Sequence, residues 1–177
     1  PLRVFAMGER GATEAPPTDA ELAVMGDAVD QALAAGALGV STGRTTMHRT
    51  PAGDPVPGTF AARRELAALA APLGRRGAGI FQVVPFGAAG EAADGFARDF
   101  EDITWLAHAT GRPVSVLLTQ ARQYPDGWRD ALERIAAAAR GGARIVPQVA
   151  PRSIGLLLGF ETLSPLFLFP AAGELLG

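Results

Sequence analysis

Apolar residues recur along this chain in two rhythms, short nearly continuous apolar runs and longer stretches with one apolar position in every three or four. The short runs predict strands at Leu2–Met7, Ala37–Val40, Gly79–Val84, Arg112–Thr119 and Ala143–Ala150. Helices are predicted where Leu22, Met25, Val29 and Leu33, then Leu66, Leu69 and Leu73, then Phe96, Phe100, Ile103 and Leu106, and finally Trp128, Leu132, Ile135 and Ala139 share a face. Thr18 and Glu21 have the spacing of a capping box, and Thr59 and Asp126 are expected to cap the second and fourth of these helices. Gly36, Gly74, Gly111 and the Gly141-Gly142 pair close them. Pro147 sits inside the last strand, where a central ladder would lack a hydrogen.

The resulting order alternates strand and helix five times at intervals of roughly 30 to 40 residues, which calls for an α/β fold with a parallel sheet of right-handed units. No G-x-G-x-x-G opens a helix, so nothing favours a doubly wound nucleotide-binding sheet. A complete (β/α)8 TIM-type barrel takes about 250 residues. The chain has 177. The expected architecture is therefore an incomplete arc of such a barrel with about five parallel strands, residues 1–177 forming an internal segment of one barrel domain. The start on Pro1, with no initiator Met, fits that expectation. Beyond Ile154 the chain is strongly apolar and predicts two short helices around a proline turn. Glu161, Pro165, Pro170 and Glu174 interrupt it well short of the about 20 apolar residues that span a membrane.

Composition narrows the function. Hydrophobic residues at 48% and charged residues at 19% are ordinary for a globular domain. The net charge of −2 and the scattered arginines disfavour nucleic acid as a partner. No cysteine is present, which excludes disulfides, thiolate metal sites and a thiol nucleophile in this chain. Lysine is absent as well, so a Schiff base is excluded. The expected setting is cytoplasmic, with no membrane partner.

Polar residues gather where the predicted strands end, as they do on the active rim of barrel enzymes. Glu9 and Arg10, Ser41 and Thr42, Gln82, Thr119 and Gln120, and Gln148 with Arg152 all lie at or just beyond a strand. After Ser41-Thr42 the chain enters a Gly- and Pro-rich loop carrying Arg44, His48, Arg49 and Asp54. His48 is placed there for general-base or hydrogen-bond work, and Arg44 has the planar guanidinium suited to clamp a carboxylate. Asp54 is a candidate to pair with either arginine. His108 lies on a predicted helix away from the rim. The candidate substrate-binding set is Glu9, Arg10, Ser41, Thr42, Arg44, His48, Gln120, Gln148 and Arg152. No catalytic residue and no metal ligand is assigned.

Several blocks carry a resemblance: Met7–Ala12, Ala35–Arg49 with its Gly-Ala-Leu-Gly-Val-Ser-Thr-Gly core, Asp54–Phe60, Gly111–Ser115 and Pro147–Arg152. In content and order they resemble the middle of an amidohydrolase-superfamily protein of the N-acyl-D-amino-acid deacylase (D-aminoacylase-like) group. That resemblance implies a metal-dependent (β/α)8 hydrolase that cleaves amide C–N bonds of small N-acyl amino acids through a metal-activated water. It also implies a divalent metal, zinc foremost, whose ligands lie outside this chain, and the remainder of its own barrel as a partner. The chain departs from the family where metal-binding histidines are expected on two strands, having Gln82 on one and Leu118-Thr119-Gln120 on the other. Two alternatives follow from that departure: a divergent barrel relative without the metal centre that binds small molecules, and an inactive truncated product.

Overall fold

The structure is a computed structural model and describes residues 2–152, apart from 89 and 93, together with residue 171. The chain opens on a six-residue helix, α1 (Leu2–Met7), followed by a 3-10 turn over Gly8–Ala12. The predicted first strand is therefore corrected to a helix. Arg3 and Met7, four residues apart, turn inward while Val4 and Phe5 stay exposed, which is the period of a helix; an apolar run this short does not separate the two conformations by sequence.

Helix α2 (Asp19–Ala34) starts as expected. The Thr18 hydroxyl accepts the Glu21 N–H at 3.3 Å, and the Glu21 carboxylate accepts the Thr18 N–H at 2.7 Å, so two free amides of the first turn are satisfied. Its apolar face buries Leu22, Met25 and Val29. Strand β1 (Gly39–Gly43) follows, then helix α3 (Arg63–Arg76), which buries Leu66, Leu69 and Leu73 and runs through Gly74 to a left-handed Gly77. Thr59 does not cap α3. Ala62 occupies that position, and the buried Thr59 instead donates its hydroxyl to the Val56 carbonyl at 2.6 Å.

Strand β2 (Ile80–Val84), helix α4 (Gly95–Thr110), strand β3 (Val114–Leu117), helix α5 (Gly127–Arg140) and strand β4 (Ile145–Gln148) complete the described order. On α5 the buried stripe is Ala131 and Ile135 with Ala138 beside them, while Leu132 is exposed, so the apolar face is rotated from the one expected. Asp126 stands at the N-cap of α5, but its carboxylate accepts from Arg129 Nε at 3.3 Å rather than from a backbone amide. Apart from residue 171, the two helices expected in the apolar tail fall on residues outside the described set. Among the described residues no helix is long and apolar enough to cross a membrane.

The four strands pair in parallel and in sequence order, β1-β2-β3-β4, with helices alternating between them. This is an α/β arc of a (β/α)8-type barrel with four strands among the described residues instead of five. Phe81, Val83, Val114, Val116 and Ile145 project from one face of the sheet and pack with Met25, Leu66, Leu73, Ile103 and Leu106 of the helices. Each of these is at most 7% exposed, and such burial is the main stabilising term of the fold.

Pro147 fits this sheet for a specific reason. Val114 donates to the Arg144 carbonyl and Leu118 to the Gln148 carbonyl, so the even-numbered residues of β4 turn their backbone groups toward β3. The nitrogen of Pro147 therefore points away from the ladder, on the outer side of the last described strand, where no hydrogen is needed.

Candidate binding site

In-register parallel strands bring their carboxyl ends to one rim. Thr42, Val83, Val116 and Pro147 stand at one level, so the residues that follow β1, β3 and β4 all emerge on the same side. Ser41, Thr42, Arg44, His48, Gln120, Gln148 and Arg152 lie at this rim. Glu9 and Arg10 do not follow a strand, because the run before them is helical. Arg10 pairs with Glu21 at 2.5 Å and donates to the Pro16 carbonyl at 3.0 Å, fastening the 3-10 turn to the start of α2.

Only part of the rim set converges. Ser41, Thr42 and His48 share a cleft of about 590 Å³ along β1, walled by Val29 of α2 and Leu69 of α3, with Arg3, Glu65 and Gly58 contributing to its lining. Gly43 explains how His48 reaches it: a Cβ at residue 43 would stand 3.2 Å from His48 Nδ1, so the imidazole takes the space that a side chain would fill. The loop that carries His48 is tied back on itself. His48 accepts the Val56 N–H at 3.1 Å, Thr50 donates to the Asp54 carbonyl at 2.8 Å, and Arg49 Nη1 donates to the Gly53 carbonyl at 2.6 Å. Among the described residues Asp54 forms no ion pair with Arg44 or Arg49.

Arg44 turns elsewhere. Its Nε donates to Asp99 Oδ1 at 2.8 Å and its Nη1 to the Ala61 carbonyl at 2.8 Å, while Asp99 Oδ2 accepts the Phe86 N–H at 2.7 Å. The guanidinium joins the end of β1, the loop before α3 and helix α4. Gln120, exposed, donates to the Pro125 carbonyl at 3.1 Å and closes the loop after β3. Gln148 and Arg152 are exposed.

Sequence reasoning missed the polar floor of the cleft. Arg3 and Glu65 are 8% and 3% exposed, with Arg3 Nη1 donating to both carboxylate oxygens at 2.9 and 2.7 Å. Arg3 Nη2 donates to the Thr13 and Ala15 carbonyls at 3.1 and 2.5 Å. A lone arginine inside an apolar run was the available signal. Gln82 also gains a partner, for the Ser41 hydroxyl donates to its side-chain oxygen.

These residues do not fit a catalytic metal. Glu65 is held by Arg3 and Asp99 by Arg44, His108 lies exposed on α4, and among the described residues no three His, Asp or Glu side chains gather where they could hold an ion. Serine hydroxyls and glutamine amides are not the nitrogen, sulfur and carboxylate donors that a zinc site uses.

The fold and its rim place the chain in the structural class of (β/α)8-type barrels. A solved structure of D-aminoacylase, described as defining a novel subset of amidohydrolases, is similar to it with a TM-score of 0.65 at 20% identity, over 85% of this chain and 28% of that one. The chain thus spans about 28% of the length of that protein. At this identity the likeness is one of fold. No protein-family model and no curated protein matches the sequence.

Proposed function

We propose that this chain is an internal part of an amidohydrolase that cleaves the amide bond of small N-acyl amino acids. The observation that carries the reading is the cleft along β1, to whose lining Ser41, Thr42 and His48 all contribute at the carboxyl end of a barrel strand. Barrel enzymes place their chemistry at that end. The likeness of fold to D-aminoacylase supports the choice of reaction, and the Gly-Ala-Leu-Gly-Val-Ser-Thr-Gly segment that resembles the same group ends in this cleft.

In this reading the apolar wall of Val29 and Leu69 receives an aliphatic group, the hydroxyls orient the polar part of the substrate, and His48 is placed to exchange a proton with it. A divalent metal, when bound, would supply an activated water. It would be held by side chains other than those described here, which take no step through it. The substrate, remainder of the barrel and cytoplasmic setting belong to the same proposal.

A second reading is favoured by the Ser41–Gln82 hydrogen bond: a barrel relative that binds small amides without hydrolysing them. Amine release from N-acetyl-D- and N-acetyl-L-amino acids by the metal-replete whole protein tests the first reading. Turnover that a chelator abolishes, and that the 177-residue chain alone lacks, is expected. Absence of turnover across the panel would leave the binding reading.

A further inference from the structure

Among the described residues, those lining the cleft along β1 that can carry charge are Arg3, Glu65 and His48. The first two cancel. Arg3 Nη1 donates to both Glu65 carboxylate oxygens and Nη2 to the Thr13 and Ala15 carbonyls, while Nε, without a partner among the described residues, is shut off from solvent. A ligand in the cleft therefore meets no available cation on this pair. Arg44, the carboxylate clamp expected from the sequence, is held by Asp99.

His48 differs. It is exposed, and among the described residues its imidazole takes part in no hydrogen bond or ion pair. Its backbone is fixed by the Val56 N–H, and the ring occupies the space that Gly43 leaves open. The charged groups near it are engaged elsewhere or stay apart: on its own loop Arg49 donates to the Gly53 carbonyl and Asp54 makes no ion pair with it, Glu14 accepts the Gly58 N–H at 3.2 Å, and β1 and α2 bring only uncharged residues to the cleft. Neutral donors are few as well. Ser41 and Thr59 have given their hydroxyl hydrogens to the Gln82 side-chain oxygen and the Val56 carbonyl, which leaves Thr42 and His48 as side-chain donors. An imidazolium offers two N–H groups and a charge where a hydroxyl offers one hydrogen and none.

We propose that His48 recognises the carboxylate of the ligand, its imidazolium donating to a carboxylate oxygen, and so selects anionic N-acyl amino acids over their neutral amides. An imidazole gains its charge between about pH 8 and 5, whereas a free α-carboxylate, with a pKa of about 3.5, stays ionised throughout that range. The bound anion favours the charged ring. Affinity for the acid therefore rises as pH falls through this range, and affinity for a neutral ligand does not. The chain's other histidine, His108, lies on α4 and does not line the cleft. The inference rests on the proposed reading that the cleft takes N-acyl amino acids, and it names the residue that selects their anionic end.

The test is titration calorimetry of the chelator-treated whole protein, in which turnover is stopped, with both enantiomers of N-acetyl-leucine and of N-acetyl-leucinamide. Wild type is expected to bind the acid about three- to fivefold more tightly at about pH 5.5 than at about pH 8, the size of an exposed ion pair, and the amide equally at both. His48→Gln keeps an N–H donor without the charge and should flatten the pH dependence of the acid while leaving the amide unchanged. His48→Arg, charged throughout, should restore tight binding of the acid at the higher pH. A flat profile for the acid in wild type, a profile that survives in His48→Gln, the same profile for acid and amide, or no binding of either would overturn the proposal. So would His48→Arg binding the acid no better at the higher pH than His48→Gln does. The expected pattern with no hydrolysis by the metal-replete whole protein would keep His48 as the reader of the carboxylate and remove the hydrolase reading. Hydrolysis of N-acetyl-leucine with kcat/KM and its pH dependence unchanged in His48→Gln would do the reverse.

Discussion

Arg44 Nε lies 2.8 Å from Asp99 Oδ1, with the two side chains 15% and 6% exposed, so the residue after β1 is bolted to helix α4. A guanidinium used this way is a strut. Removing one partner leaves the other charge poorly solvated, which typically costs about 3 to 5 kcal/mol when the pair is buried; with Arg44 partly exposed we expect about 2 to 4 kcal/mol for Arg44→Ala in chemical denaturation. Asp99→Ala should cost at least as much, because it also frees the Phe86 N–H. The double variant should fall well short of the sum of the two, the mark of a shared interaction. Arg98→Ala, an exposed residue with an i,i+4 partner in Asp94, should change stability by less than about 0.5 kcal/mol. Additive losses at 44 and 99 would return Arg44 to the carboxylate-clamp role its sequence position suggests.

The alternation of elements was legible because helices and strands here bury faces with clean periods. Leu22, Met25 and Val29, or Leu66, Leu69 and Leu73, read as helical stripes and pack as such. Leu2–Met7 did not, since six residues hold under two helical turns and its decisive contact, Arg3 with Glu65, spans 62 positions. The same distance problem hid the fate of Arg44. Local sequence places it in a polar loop, whereas Asp99 lies 55 residues further on. Ser41, Thr42 and His48 were legible because strand end and loop are contiguous in the chain. Gln82 was visible as a polar residue in a strand, but its pairing depends on register with β1.

The Arg3–Glu65 pair makes a second, sharper prediction. Both groups are more than nine-tenths buried, and the carboxylate takes two hydrogen bonds from one guanidinium nitrogen. Glu65→Ala should lower stability by about 3 to 5 kcal/mol, because Arg3 would remain buried without its counter-charge. Arg64→Ala removes the neighbouring pair with Asp19, whose carboxylate is almost fully exposed, and should cost less than about 1 kcal/mol. Comparable midpoints for the two variants in urea would contradict this assignment.

Gly39 predicts a local failure at the start of the sheet. Its φ of +152° is one that other residues rarely adopt, and a Cβ would stand 1.9 Å from the Ile80 carbonyl oxygen. Gly39→Ala must displace β1 from β2 or lose the ladder bond from Ile80 N–H to the Leu38 carbonyl. Hydrogen exchange at Ile80 should accelerate by at least about tenfold, equivalent to about 1.4 kcal/mol of local opening. Exchange unchanged from wild type would show that the strand start accommodates a side chain.

The capping box at α2 predicts how stability depends on acid. The Thr18 backbone N–H holds the Glu21 carboxyl below its ordinary range, helped by the Thr18 hydroxyl and by Arg10 and opposed by desolvation. A hydrogen bond from Arg76 lowers Asp30 in the same sense, aided by the charges of Arg76 and Arg75 and again opposed by desolvation. A carboxyl whose folded pKa is depressed stabilises the fold fully above its unfolded value, about 4.3 for glutamate and 3.9 for aspartate, and loses that contribution as pH falls through the folded value. Melting temperature should accordingly hold level above about pH 5 and decline below about pH 4. Glu21→Gln keeps an oxygen for the Thr18 amide but removes the titration, so its decline should be shallower, and Glu21→Gln with Asp30→Asn shallower still. A double variant whose acid limb coincides with that of wild type would assign the acid sensitivity to other carboxylates.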